Sequence, residues 1–126
     1  MSEFNIEIIC PDKKIFSGAA SEATIPCYEG LMTIMKDHIP LITFLRPGLI
    51  EIKDDNKKFF IEEGTVEFSK NNLLILTTSA ENLKDLSNEK KSKMLKEAES
   101  QIASSNLSDK EKYILSYKIE TLKQIN

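Results

Sequence analysis

Histidine occurs once in this sequence, at His38, arginine once, at Arg46, and tryptophan not at all. A single histidine excludes the multi-histidine metal sites built on many small β-barrels and leaves any metal to carboxylates alone. The other 16 of the 17 basic residues are lysines, so planar forks suited to bidentate recognition of phosphate or carboxylate are scarce. At a formal net charge of -3 the chain lacks the clustered cations that displace counterions from a polyanion, which argues against nucleic acid as a partner. Glycine is confined to positions 18, 30, 48 and 64, each isolated, so no glycine-rich phosphate loop is present. Cys10 and Cys27 stand in strand-like apolar runs without metal-ligand spacing and read as buried thiols. No window approaches the ~20 apolar residues of a membrane span, and Met1-Ser2-Glu3-Phe4-Asn5 has neither a basic segment nor a long apolar run. The expectation is a chain kept in a reducing compartment, with docking onto a membrane protein left open.

What the sequence does have is 40% hydrophobic and 29% charged residues over 126 positions, the balance of a globular chain with one core. From Phe4 to about Thr78, short runs rich in Ile, Phe, Val and Thr are separated by Gly, Pro, Asp and Asn, the punctuation of a β-protein. Phe4, Ile6 and Ile8 alternate with Asn5 and Glu7, and Val66 and Phe68 with Thr65, Glu67 and Ser69, so each set turns one face inward. Leu73-Leu74-Ile75-Leu76 is continuously apolar after the Asn71-Asn72 turn signal, which predicts a central strand covered on both faces. Asp54-Asp55-Asn56 reads as a hairpin between Leu49–Ile52 and Phe59–Ile61, and Glu63-Gly64 as the turn into the next strand. Spacing this short leaves no room for βαβ crossovers and predicts an antiparallel sandwich or barrel.

Beyond Asn82 the composition shifts to Lys, Glu, Ala, Leu and Ser, mostly good helix formers. Met94, Leu95, Ala98 and Ile102 make a narrow apolar stripe on a helix from about Asn88 to Ala103, and Ser104-Ser105-Asn106 breaks it. Ser108-Asp109-Lys110-Glu111 is a capping box that starts a second helix, with Ile114, Tyr117, Leu122 and Ile125 on its apolar side. The short connection predicts an antiparallel pair. Two thin helices cannot bury each other, so their stripes need a third surface: the sandwich, another chain, or both in alternation. The fold class is therefore α+β, mainly β: an N-terminal antiparallel β-sandwich over residues 1–84 and a C-terminal antiparallel two-helix hairpin over residues 85–126.

The inventory for catalysis is poor, because nucleophile, base and anion-stabilising donors do not converge. His38 reads as a turn residue tying loops together; Glu62-Glu63 and Asp54-Asp55 are neighbours in sequence, not pairs across a cleft, and read as solvated turn charges. The lysines of 90–96 alternate with Glu89, Glu97 and Glu99 and read as a solvated helix face. No catalytic residue, cofactor or metal ligand is assigned.

One stretch is more specific. Ile25-Pro26-Cys27-Tyr28-Glu29-Gly30-Leu31, then Ile34, then His38-Ile39-Pro40-Leu41-Ile42-Thr43, then Pro47-Gly48 before an apolar strand, resembles the signature of the epsilon subunit of the F-type ATP synthase. Phe16-Ser17-Gly18 and Thr77-Thr78-Ser79-Ala80-Glu81 fall where that family has similar segments, so the likeness spans nearly the whole chain. The resemblance implies a ten-stranded sandwich at the foot of a rotor, between the gamma subunit and the ring of c subunits, peripheral to the cytoplasmic face of a bacterial inner membrane. It also implies a hairpin able to extend to the alpha and beta subunits and block ATP hydrolysis. The turn at Tyr28, Glu29, Gly30 and Leu31, with Asp37 and His38 nearby, is the implied contact with the c ring and gamma; Met94, Leu95, Ile102, Ile114, Tyr117 and Leu122 are the implied hairpin packing.

There are departures from the family pattern. Some relatives bind ATP through an aliphatic-Asp-x-x-Arg-Ala pattern, and here Leu86-Ser87-Asn88-Glu89-Lys90-Lys91 lacks its Asp and Arg. Thr33 stands where a glycine is frequent, and Met35-Lys36 replaces an aliphatic-Pro pair. Two other classes compete: an ATP-sensing module, discriminated by titration with MgATP, and a jelly-roll enzyme, discriminated by His38→Ala.

Overall fold

A computed structural model describes residues 3–54, 56–104 and 106–125. Ten strands come first: β1 Phe4–Cys10, β2 Lys13–Ala20, β3 Glu22–Cys27, β4 Gly30–Met35, β5 Leu41–Leu45, β6 Gly48–Ile52, β7 Lys57–Ile61, β8 Gly64–Ser69, β9 Asn72–Thr77 and β10 Ala80–Asn82. A 3-10 turn at Leu83–Asp85 leads to α1 Asn88–Ile102 and α2 Asp109–Gln124. The ladder order is β10-β7-β6-β3-β5-β8-β9-β1-β2, with β4 paired to β3 off this path. β3 turns the corner, pairing with β6 through Ala23 and Thr24 and with β5 through Cys27. The far ends of the path then meet, with the Phe16 ring of β2 5.6 Å from Phe59 of β7. Two layers thus enclose one core, to which Ile6, Ile25, Ile50, Phe59, Phe68 and Ile75 all belong.

Alternation sets which side chains enter it. Phe4, Ile6 and Ile8 are buried, and so are Val66 and Phe68, as the period of two requires. Three expectations need correction. The sheet is not antiparallel throughout, because β1 and β9 pair in parallel; the two strands are joined only through the rest of the sandwich, so no hairpin dictates their direction. The β8–β9 turn is Lys70-Asn71, both with φ above zero (51° and 60°), as a two-residue primed turn needs, one position earlier than the Asn71-Asn72 signal. Leu73–Leu76 lies between strands on both edges but is covered on one face: Leu73 and Ile75 are buried, while Leu76 is 46% exposed.

Cys27 is buried but Cys10 only partly, and both thiols are free. Burial pushes both above the ordinary cysteine range; Glu29 adds to the rise at Cys27, and Lys13 opposes it at Cys10. Asp55 and Ser105, in the two predicted breaks, lie outside the described residues.

The hairpin starts where its caps dictate. Ser87 accepts from the Lys90 amide at 3.1 Å, and the Ser108–Glu111 box closes with two bonds of 3.1 Å. Lys91 Nζ donates to the Ile125 carbonyl at 2.7 Å, so the beginning of α1 meets the end of α2 and the pair is antiparallel.

Candidate functional site

The register across β5, β8, β9 and β1 aligns Phe44 with Thr65, Thr65 with Leu76, and Leu76 with Ile9. Directly opposed residues share a face, so these four form one row on the outside of the sandwich. Two positions along, Ile42, Glu67, Leu74 and Glu7 form a second row. Ile42 is 78% exposed and Phe44 64%. A trough of about 770 Å³ runs along the first row and is walled by Tyr28, Glu63 and Lys110. Contiguous apolar surface of this kind on a small domain marks a contact site rather than an accident of composition.

The Tyr28-Glu29 turn joins β3 to β4, with Gly30 at φ 131° and Leu31 67% exposed. Asp37 and His38 are not beside it. They sit past the other end of β4, whose six residues set the two groups about 17 Å apart at the rise of an extended strand. There Asp37, at φ 66°, is locked to Asn71: its amide donates to Asn71 Oδ1 at 2.7 Å, and Asn71 Nδ2 donates to its carboxylate at 3.0 Å. His38 Nδ1 donates to the Ile39 carbonyl at 2.7 Å, and its ring stands edge-on to Phe68 at 5.9 Å. Both predicted groups are therefore built into opposite ends of the sandwich.

The hairpin clasps the first of these ends. Tyr113 Oη donates to the Tyr28 carbonyl at 3.1 Å, and its ring lies 5.8 Å from Tyr28 and 4.9 Å from Tyr117. The Arg46 guanidinium sits over Tyr117 at 3.9 Å and donates to the Pro47 carbonyl at 3.0 Å. Lys118 reaches Glu62 at 2.7 Å, and Glu62 also accepts from Ser79 Oγ at 3.1 Å. Burial, reinforced by Glu63, pushes the Tyr28 phenol up, so its hydroxyl stays protonated and donates to Glu63 at 3.4 Å.

Residues 3–83 match the model of the family of the ATP synthase, Delta/Epsilon chain, beta-sandwich domain. An ATP synthase epsilon chain of Pelagibacter ubique (strain HTCC1062) is 42% identical over 98% of this chain and 98% of its own length. The chain belongs to the ATP synthase epsilon-chain family. A second epsilon chain, from Parvibaculum lavamentivorans, is 29% identical over 98% of this chain and 95% of itself. One chain of the Euglena gracilis mitochondrial ATP synthase structure, OSCP/F1/c-ring, superposes with a TM-score of 0.77 at 21% identity, over 98% of this chain and 81% of that one, so the shared fold takes in the hairpin.

Within this epsilon-family chain, Leu122 is buried and Met94, Leu95, Ile102, Ile114 and Tyr117 are half-buried. Sequence reasoning missed Thr121, which is buried, and gave no role to Arg46, Tyr113 or Lys118. It read Glu62 and Glu63 as solvated, whereas they receive Lys118 and Tyr28. It also did not place Ile42, Phe44 and Leu76 together on an uncovered face, reading Ile42 only within the signature and Leu76 as covered. A signal for them existed: Leu41-Ile42-Thr43-Phe44-Leu45 is apolar at both parities of a strand, which requires cover on two faces. Thr33, the departure from glycine, keeps the β3–β4 ladder intact opposite Thr24, their hydroxyls 3.3 Å apart.

Proposed function

We propose that this epsilon-family chain is a non-catalytic rotor subunit of the ATP synthase, coupling ion-driven rotation of the c ring to ATP synthesis through its sandwich, residues 1–84. The gamma subunit covers the outer face around Ile42, Phe44 and Leu76, and the Tyr28–Leu31 turn meets the c ring. Residues 85–126 are a regulatory arm that leaves the sandwich to touch alpha and beta subunits and restrain ATP hydrolysis. The subunit is peripheral, on the cytoplasmic face of a bacterial inner membrane; among the described residues no helix is long and apolar enough to cross one.

The observation that carries this reading is the uncovered apolar face. Burying one side chain of the size of Ile or Phe contributes about 1.5–3 kcal/mol, so Ile42, Phe44 and Leu76 together supply the centre of a specific interface. The work asked of the sandwich is transmission of force, which suits a close-packed body and needs no acid or base. His38, with Nδ1 engaged and its ring against Phe68, is fitted to hold a loop.

The test is an Ile42→Asp, Phe44→Asp double variant expressed with the other subunits. The isolated variant should keep its circular dichroism spectrum, since both side chains are exposed, yet fail to co-purify with gamma. Retention of the folded double variant in the complex at the unmodified level counts against this face as the docking surface.

A further inference from the structure

Beyond the β3–β4 ladder, which pairs Cys27 with Gly30 and Pro26 with Leu31, the turn proposed to meet the ring has little support from its own domain. The hydrogen bonds that the Tyr28 amide donates to the Phe44 carbonyl and its hydroxyl to Glu63 are long, at 3.3 and 3.4 Å, near the limit of useful hydrogen bonds. A Cβ at Gly30 would meet nothing within 4 Å, so no neighbour packs against that point. The best-formed contact of the Tyr28 carbonyl comes from the hairpin: Tyr113 Oη at 3.1 Å, with the two rings also in contact.

A second observation is independent of the first. Leu31 shares a recess of about 270 Å³ with Arg46 and Tyr117. Arg46 is oriented by the Tyr117 ring and the Pro47 carbonyl, while its Nε is buried without a partner. Residues of α2 therefore touch the turn at Tyr28 and line a recess with it at Leu31.

We propose that Tyr113 is a positioning residue for the Tyr28–Leu31 turn, so that docking of the hairpin and binding of a partner at that turn strengthen each other. The inference rests on the reading of the turn as a partner contact given above. A partner that binds the ordered turn must stabilise the docked hairpin by the same factor by which docking raises its affinity, because the two equilibria share one coupling free energy.

The variant that tests this is Tyr113→Phe, which keeps both ring contacts and removes the donor, with Tyr113→Leu removing ring and donor together. In the isolated full-length chain, hydrogen exchange across residues 27–32 should quicken about three- to tenfold for Tyr113→Phe, the size of one net hydrogen bond, and more for Tyr113→Leu. Affinity for purified rotor depleted of this subunit should fall by a similar factor. Unchanged exchange at 27–32, or faster exchange in α2 alone, overturns the proposal. Glu29→Ala and Leu31→Ala separate it from the reading beneath. If they weaken rotor binding and Tyr113→Phe does not, the coupling is wrong; if they do not weaken it, the turn is not a partner contact, whatever the exchange shows.

Discussion

A Cβ added at Gly64 would run into the Leu76 carbonyl oxygen and into Thr77 across the β8–β9 ladder, whereas at Gly30 only the φ of 131° opposes a side chain. The first conflict is overpacking between backbones that cannot move apart without breaking the ladder, and such substitutions cost about 1–3 kcal/mol. Gly64→Ala should accordingly lower the urea midpoint of the isolated chain at unchanged slope. Gly30→Ala carries a backbone strain of about 1–3 kcal/mol, held in a turn with open space around it, and should disturb rotor binding more than its shift in midpoint suggests. Either glycine could be marked in the sequence as a turn, but which one is enforced by crowding and which by backbone angle could not, because the crowding atoms come from a strand twelve positions away. The same holds for Arg46, whose stacking on Tyr117 joins positions far apart in the chain.

Elements were more legible than residues. Ser108-Asp109-Lys110-Glu111 announced the start of α2 because a capping box satisfies donors within one turn and needs no tertiary partner. Ser87 also caps α1, accepting from the Lys90 amide, but with Lys90 three positions on no box marks it in the sequence. What periodicity could not settle was the second face of β9: a run apolar at every position is the same string whether its outer side meets a helix, a partner or water. The α2 cap also predicts a pH response. The Ser108 amide and then its hydroxyl hold the Glu111 carboxyl below the usual carboxylate range. A depressed folded value means that this contribution is present above the unfolded pKa, about 4.3 for Glu, and is lost as the pH falls through the lower folded value. Glu111→Gln should therefore flatten the acid limb of stability in that window and leave the slope near neutral pH unchanged, as followed by helical ellipticity in urea at stepped pH. An acid limb identical to that of the unmodified chain would show that the carboxylate is not a cap in solution. Ser108→Ala, which removes the hydroxyl acceptor, should cost about 1 kcal/mol at neutral pH.

At the scale of the whole molecule, the two proposed contacts fall on different surfaces. The apolar face around Ile42, Phe44 and Leu76 owes its shape to the β5-β8-β9-β1 register, and among the described residues the hairpin contributes only Lys110 to its trough. The Tyr28–Leu31 end, by contrast, is clasped by Tyr113, Tyr117 and Lys118. Removing residues 87–126 should thus leave the chain able to co-purify with gamma, since the core cluster lies wholly within the strands. The truncated chain should bind the depleted rotor several-fold more weakly through the loosened turn, and ATP hydrolysis by the assembled synthase should rise because the arm is gone. Loss of gamma together with the arm would mean that the docking face extends onto the helices. Unchanged hydrolysis with normal assembly would mean that the hairpin acts only as a buttress for the turn, a division of labour that Tyr113→Phe in the full-length chain would then reproduce without any effect on hydrolysis.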